Sequence, residues 1–215
     1  HLTHITPYAV GKYMIVDSST RRNLELTETL REKQKKGSLL WVLDKTKTAM
    51  GARRLRQMLE QPLVVGGDIV TRQQAVAYLK DEVITREELR EYLNPVYDLE
   101  RLIGRISTRS AGPRDLIALK SSLSMLPHIK YLIRECSVEL LHELHDEIDE
   151  LEDVCTLIEK AIVDEPPIAV KDGGLIKEGF NDEIDRLRTA KTEGKSWLAQ
   201  LESDERERTG IKNLR

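Results

Sequence analysis

From Asn181 to Arg208 the chain contains no proline and a single glycine, Gly194. Asn181 is a residue type that caps helix starts, and Gly210 one that ends helices. Between them Ile184, Leu187, Lys191, Gly194, Leu198, Leu201, Glu205 and Arg208 alternate steps of three and four, the spacing of a heptad seam. Some 28 helical residues at about 1.5 Å each give a rod of roughly 40 Å. Only Ile184, Leu187, Leu198 and Leu201 on that seam are apolar. The spacing therefore predicts a long antiparallel pairing with a weak centre, and not an autonomous coiled coil. Glu202 with Arg206, and Asp204 with Arg208, stand one turn apart and are expected to pair on its surface. A rod of this kind transmits displacement from one end to the other.

The remaining residues set what such a rod is attached to. Charged residues make up 33% of the 215 and aromatics 4%, so the core must come from Leu, Ile, Val and Ala on amphipathic helices. The length suits one or two domains. The expected fold is mainly α: a multi-helix core bundle, a long helix and a small β element. Tyr13–Val16 reads as a short strand, followed by capping residues at Asp17–Thr20 and a short helix from Arg21. Asp68 reads as the N-cap of a helix carrying Ile69, Gln73, Val76 and Leu79. Thr85 with Glu88 has capping-box spacing. Gly112-Pro113 restarts a helix with Leu116, Leu119, Leu123 and Leu126 on one side, and Ser137 reads as the cap of another. Ile148, Leu151, Val154, Cys155, Ile158 and Ile162 form a stripe ended by Pro166-Pro167. Ile168–Val170 and Leu175-Ile176 flank a Gly173-Gly174 turn and read as a hairpin.

The block from Gly37 to Pro62 holds an apolar run, Leu39–Leu43, too short to span a bilayer. Asp44, Thr46 and Thr48 offer caps to the following helix, whose stripe is Met50 or Ala49, then Leu55, Met58 and Leu59. Gly51 and Ala52 leave room for a second helix to approach. Lys45, Lys47, Arg53, Arg54 and Arg56 occupy the other faces. One reading is a core helix with a solvated basic face; the other is a basic helix facing an acidic partner or a phosphate backbone. Residues 21–60 carry eleven Lys/Arg against five Asp/Glu, a net +6, whereas residues 135–165 carry one against twelve, a net −11. With the whole chain at −3, bound DNA would avoid the acidic stretch.

The chain carries few groupings that resemble a chemical site. Gly194-Lys195-Ser196 lacks the first glycine of a phosphate loop, since Thr189 stands there, and falls inside a helix whose N–H groups are already used. His142 and His145 are one residue short of the HExxH zinc spacing and read as exposed polar residues. The carboxylates between Asp146 and Asp153 lack the glycine and turn spacing of a calcium loop. Cys136 and Cys155 sit in no paired motif and read as buried thiols of a reducing compartment. No catalytic, cofactor or metal residue is assigned, and no membrane segment or signal peptide is read.

Several blocks carry a family resemblance. LLWVLDKTKTAMG from Leu39, TRRNLEL from Thr20, YDLERLIGRI from Tyr97, GPRDLIALK from Gly112, IVDEPP from Ile162, KDGGLIKEGF from Lys171 and ERERTGI from Glu205 stand in order along the chain. They resemble the core and lever region of the MutS family of DNA mismatch-repair proteins. The resemblance implies a helical core domain over residues 1–180, with residues 1–20 as its entry, and a lever helix over 181–215 leading to a DNA clamp. It places Arg206, Arg208 and Lys212 near DNA phosphates. It also implies a longer parent that forms a homodimer on mismatched double-stranded DNA and hydrolyses ATP with Mg in another domain. That parent signals to a MutL-type repair factor and is cytoplasmic, in the bacterial nucleoid. The chain begins at His1 and runs out just after Gly210, as an excised piece would. The family's Phe-x-Glu mismatch reader is absent, because the only Phe, Phe180, precedes Asn181 and Asp182, and no Walker motif is present. The piece is thus expected to be no enzyme. The competing readings are a MutS paralogue in another DNA transaction and a helical interaction module unrelated to DNA; no repeat of fixed period supports the latter.

Overall fold

The computed structural model describes residues 10–168 and 170–210. Eleven α-helices follow one another among them: α1 (Ser18–Asn23), α2 (Leu39–Leu43), α3 (Ala49–Glu60), α4 (Gly66–Asp81), α5 (Val83–Leu93), α6 (Leu99–Ser107), α7 (Pro113–Leu123), α8 (Leu126–Ile133), α9 (Glu139–Glu147), α10 (Glu152–Ala161) and α11 (Asp182–Thr209). The mainly helical expectation holds. No helix among the described residues is long and apolar enough to cross a membrane.

Local chemistry explains most starts and stops. Asp17 accepts the Thr20 N–H at 2.7 Å, Ser38 accepts from Trp41 and Thr48 from Gly51, so α1, α2 and α3 begin on side-chain caps. Asp115 reaches back to the Gly112 N–H at 2.7 Å with Pro113 opening α7. Helix α11 starts on Asn181, whose side chain accepts from Glu183 and Ile184, and stops at Gly210 with φ of 68°.

Among the described residues two apolar clusters hold the bundle. In the larger, Leu102 of α6, Leu119 and Leu123 of α7, and Ile158, Ala161 and Ile162 at the end of α10 bury one another. In the smaller, Ala75 of α4 packs with Cys136 and with Leu141 of α9. Between them α5 and α8 join through Tyr92 and His128, whose rings stack at 4.8 Å. Ser122 of α7, with no exposed surface, accepts the Tyr97 N–H at 2.9 Å and donates to the Ala118 carbonyl at 2.8 Å.

The structure departs from several expectations. The hairpin over 168–176 does not form: Val170–Asp172 is a 3-10 turn, and Ile176 makes an isolated antiparallel bridge with Ile162. Gly173 and Gly174, with φ of 72° and 69°, turn the chain so that Leu175–Lys177 meets the end of α10 instead. Ala169 lies outside the described residues. The other β pairing, Tyr13 with Leu63, is also a single bridge, so the small β element amounts to two bridges among the described residues. Thr85 and Glu88 form no capping box, because α5 already starts at Val83 and Arg86 caps the end of α4 through the Leu79 and Lys80 carbonyls. Asp68 lies in the first turn of α4, which Val65 precedes as N-cap, and Val138 takes the position expected of Ser137. The stripe from Ile148 is broken by Leu151, at φ of 49°, so α10 begins only at Glu152. Cys136 is buried, but Cys155 only partly.

The block from Gly37 to Pro62 does not form the centre. Leu40 is buried, whereas Leu39, Trp41, Val42 and Leu43 are 41–56% exposed and α3 buries no residue fully. The nearest atoms that a Cβ added at Gly51 would meet belong to Thr46 and Thr48, in the turn that leads into α3. Among the described residues Ile15, Val76, Ile84 and Trp197 are each more than half exposed. Much apolar helix surface is left uncovered.

Candidate functional site

The feature that distinguishes this bundle is how α11 is anchored. Its root begins where the strand-like residues after the Gly173-Gly174 turn meet α10. The Val163 N–H donates to the Leu175 carbonyl at 2.9 Å and the Lys177 N–H to the Ala161 carbonyl at 2.8 Å. Arg188, two turns into α11, then donates to the Ile176 carbonyl at 2.6 Å and lies 3.4 Å from Asp185. Asp185 also accepts the Gly179 N–H at 2.7 Å, closing the loop onto the first turn of the helix.

A second set of contacts ties this junction to the larger cluster. Asp164 lies 3.2 Å from Lys177 and 3.5 Å from Lys120 of α7. The Lys177 ammonium, followed by that of Lys120, holds the Asp164 carboxyl below the usual range. Helix α7 packs along α10. A continuous path therefore runs from α7 and α10 through Ile162, Ile176 and Arg188 into α11.

Beyond Arg188 the helix projects from the bundle. Trp197, Leu198 and Leu201 are 42–64% exposed. Gly194, Lys195 and Ser196 lie in the middle of this helix, so their N–H groups are not arranged as a phosphate cradle. At the tip, Arg206 reaches Glu202 at 2.5 Å as expected. Arg208 pairs with Glu205 at 2.8 Å and not with Asp204, which accepts from Gln200. Arg206 and Arg208 thus share the last two turns of α11, while Lys212 lies outside the described residues.

Two further arrangements are not legible in the sequence. Arg53 of α3 clasps both Asp98, the N-cap of α6, and Glu100. The Asp98 carboxyl is pulled down to about 2, chiefly by Arg53. These residues lie 45 and 47 positions apart, so no spacing announces the contact. Arg188 is equally silent, because its partner is a main-chain carbonyl. His142 and His145 both face Asp146, at 3.2 and 3.0 Å, and no three His, Cys, Asp or Glu side chains among the described residues converge as a metal site requires.

A family model described as MutS domain III matches residues 19–215. This chain belongs to the MutS family. Proteins described as DNA mismatch repair protein MutS are similar along all of it: 66% identical in Lachnoclostridium phytofermentans, and 54% in both Ruminiclostridium cellulolyticum and Acetivibrio thermocellus. The chain covers 23% of the first of these relatives and 25% of the other two. It spans about a quarter of the MutS proteins it matches, and the anchored α11 lies wholly within the domain III match.

Proposed function

We propose that this chain is the core and lever portion of a DNA mismatch-repair protein, with residues 1–180 as core and 181–215 as lever. The observation that carries the reading is the contrast along α11. Its first two turns are tied to α7 and α10 through Arg188, Ile176, Lys177 and Asp164, while the rest projects uncovered. A stiff rod held at one end turns a small tilt of the core into a larger displacement of its tip.

In the longer protein, ATP and Mg act in a separate domain, and the tilt they cause reaches a DNA clamp through this rod. The chain itself takes no part in ATP hydrolysis. The DNA is a mismatched duplex, the working form a homodimer, and a MutL-type factor receives the signal in the bacterial cytoplasm. Arg206, Arg208 and Lys212 lie close to DNA phosphates in that assembly. The names of the relatives favour mismatch repair over another DNA transaction.

The test uses the full-length protein with cysteines placed at the α10 end and mid-α11, crosslinked so that the lever is locked to the core. ATP hydrolysis should continue while ATP-triggered release of mismatched DNA, followed by fluorescence anisotropy, is abolished. Normal release after crosslinking overturns the reading. Replacing Arg206, Arg208 and Lys212 with Ala should flatten the dependence of log K on log salt by about 0.9 for each phosphate no longer neutralised; an unchanged slope removes them from the DNA interface.

A further inference from the structure

Helix α11 runs for 28 residues, yet most of them are exposed. Among the described residues neither apolar cluster includes a residue of α11. Near its root only Ile184, Asp185 and Arg188 are partly buried, and Leu187 beside them is 66% exposed. Swinging the rod therefore costs almost no apolar burial. Its direction must be set by polar contacts.

Those contacts close a ring. One oxygen of Asp185 accepts the Gly179 N–H at 2.7 Å, and the other lies 3.4 Å from the Arg188 guanidinium. Arg188 in turn donates to the Ile176 carbonyl at 2.6 Å. The loop from Ile176 to Gly179 is thereby strapped to the first two turns of the rod. Between the strap and the helix stand Gly179, Phe180 and the cap Asn181. Gly179 has φ of 82°, and a Cβ there would meet nothing within 4 Å, so no neighbour blocks rotation at this point. The Asp185–Arg188 pair is partly exposed and adds little to stability, as such pairs do. Direction is a different quantity: where no apolar contact opposes a swing, a weak polar contact decides it.

We infer that Asp185 is the positioning residue of α11, its shared carboxylate fixing the angle at which the rod leaves α10, with residues 179–181 as the pivot. The carboxylate holds the loop main chain and the guanidinium at once, so its loss opens both sides of the ring. Arg188 keeps the Ile176 carbonyl but loses its partner on the helix. The rod then sweeps about the pivot as an intact helix. A tilt of about 15° moves Ser203, about 33 Å along the axis, by about 9 Å. The consequence of that sweep for DNA rests on the core-and-lever reading; the assignment of Asp185 does not.

The experiment places nitroxides on unnatural residues at Glu159 of α10 and Ser203 of α11, both exposed and outside the ring. Double electron–electron resonance measures their separation in the 215-residue chain. The parent should give one narrow distance distribution. Asp185→Ala should broaden or shift it by at least about 5 Å, with circular dichroism unchanged. Asp185→Asn keeps an acceptor for Gly179 without the charge that faces Arg188, and should fall between. Leu187→Ala, close by but outside the ring, should match the parent. An Asp185→Ala distribution equal to the parent's, a parent already broad, or equal broadening by Leu187→Ala overturns the assignment. Loss of helix in Asp185→Ala overturns it too, since Asp185 then forms the helix instead of aiming it. In the full-length protein Asp185→Ala should slow ATP-triggered release of mismatched DNA at least about threefold. Unchanged release beside a broadened distribution sinks the lever reading and leaves Asp185 as the residue that aims α11.

Discussion

Arg188 donates to the carbonyl of Ile176 at 2.6 Å, and Ile176 is the residue that bridges to Ile162 at the end of α10. One guanidinium thus connects α11, the longest helix among the described residues, to the packed centre of the bundle. Arg188→Ala should loosen that junction at a cost of about 1–2 kcal/mol, the worth of a charged hydrogen bond at a partly exposed site. For a chain of this size the midpoint of thermal unfolding falls by a few degrees. Hydrogen exchange should rise at residues 176–190 and stay constant in α7. Unchanged exchange at 176–190 would show that Arg188 holds nothing.

The bundle should weaken in acid in a defined window. Asp98 and Asp44 titrate at about 2 in the folded chain, held there by Arg53 and Lys35 respectively, against 3.8 ordinarily. Folding therefore lowers both values, so their stabilisation is complete above about pH 4 and disappears as pH falls through about 2. Melts followed by circular dichroism should show the midpoint dropping across that range. Asp98→Asn keeps a good N-cap for α6 but removes the charge, and should flatten the drop. An identical acid profile in this variant rules out the Arg53 clasp as a source of stability.

Ser122 is a polar residue in a closed site, and its hydroxyl is fully used. Ser122→Ala leaves the Tyr97 N–H without its partner and should cost about 1–3 kcal/mol by urea unfolding. Ser122→Cys keeps the side chain nearly the same size but is a weaker acceptor, and should recover only part of the loss. An Ala variant as stable as the parent would mean that the Tyr97 N–H finds another partner.

Truncation of leucines should sort by position and not by residue type. Leu123 is 3% exposed, between α7 and α10, and Leu123→Ala should cost about 2–5 kcal/mol. Leu198, on the projecting part of α11, is 58% exposed, and Leu198→Ala should stay within about 0.5 kcal/mol in this chain. Urea titrations of the two variants check this. Comparable destabilisation would mean that α11 packs along its whole length.

What can be read from the residues follows a pattern. Caps at Asp17, Thr48 and Asn181 and the stop at Gly210 are legible, because each acts within three or four residues of itself. The capping box at Thr85 misleads for the same reason inverted. Its spacing is correct, but α5 has already begun at Val83, where Arg86 closes the turn between α4 and α5. The hairpin at Ile168–Ile176 fails because strand pairing is not local: Ile176 has two apolar partners to choose from, and the turn at Gly173-Gly174 delivers it to Ile162. The place of Arg206 and Arg208 at the end of α11 follows from the Gly210 stop. The contacts of the root residues Arg188, Lys177, Asp164 and Lys120 are not legible in this way, since their partners are main-chain atoms or charges far along the chain.

The sequence by itself determined the helices, the length of α11 and the family, because periodicity, capping and motif order are properties of neighbouring residues. Only the tertiary structure decided which stripes are buried. The apolar block at Leu39–Leu43 stayed largely on the surface, Leu102, Leu123 and Ile158 took the centre, and α4 kept one of its two apolar faces open. The reason is physical: apolar periodicity says that a face seeks cover, but whether cover exists depends on which other surfaces the chain brings within reach.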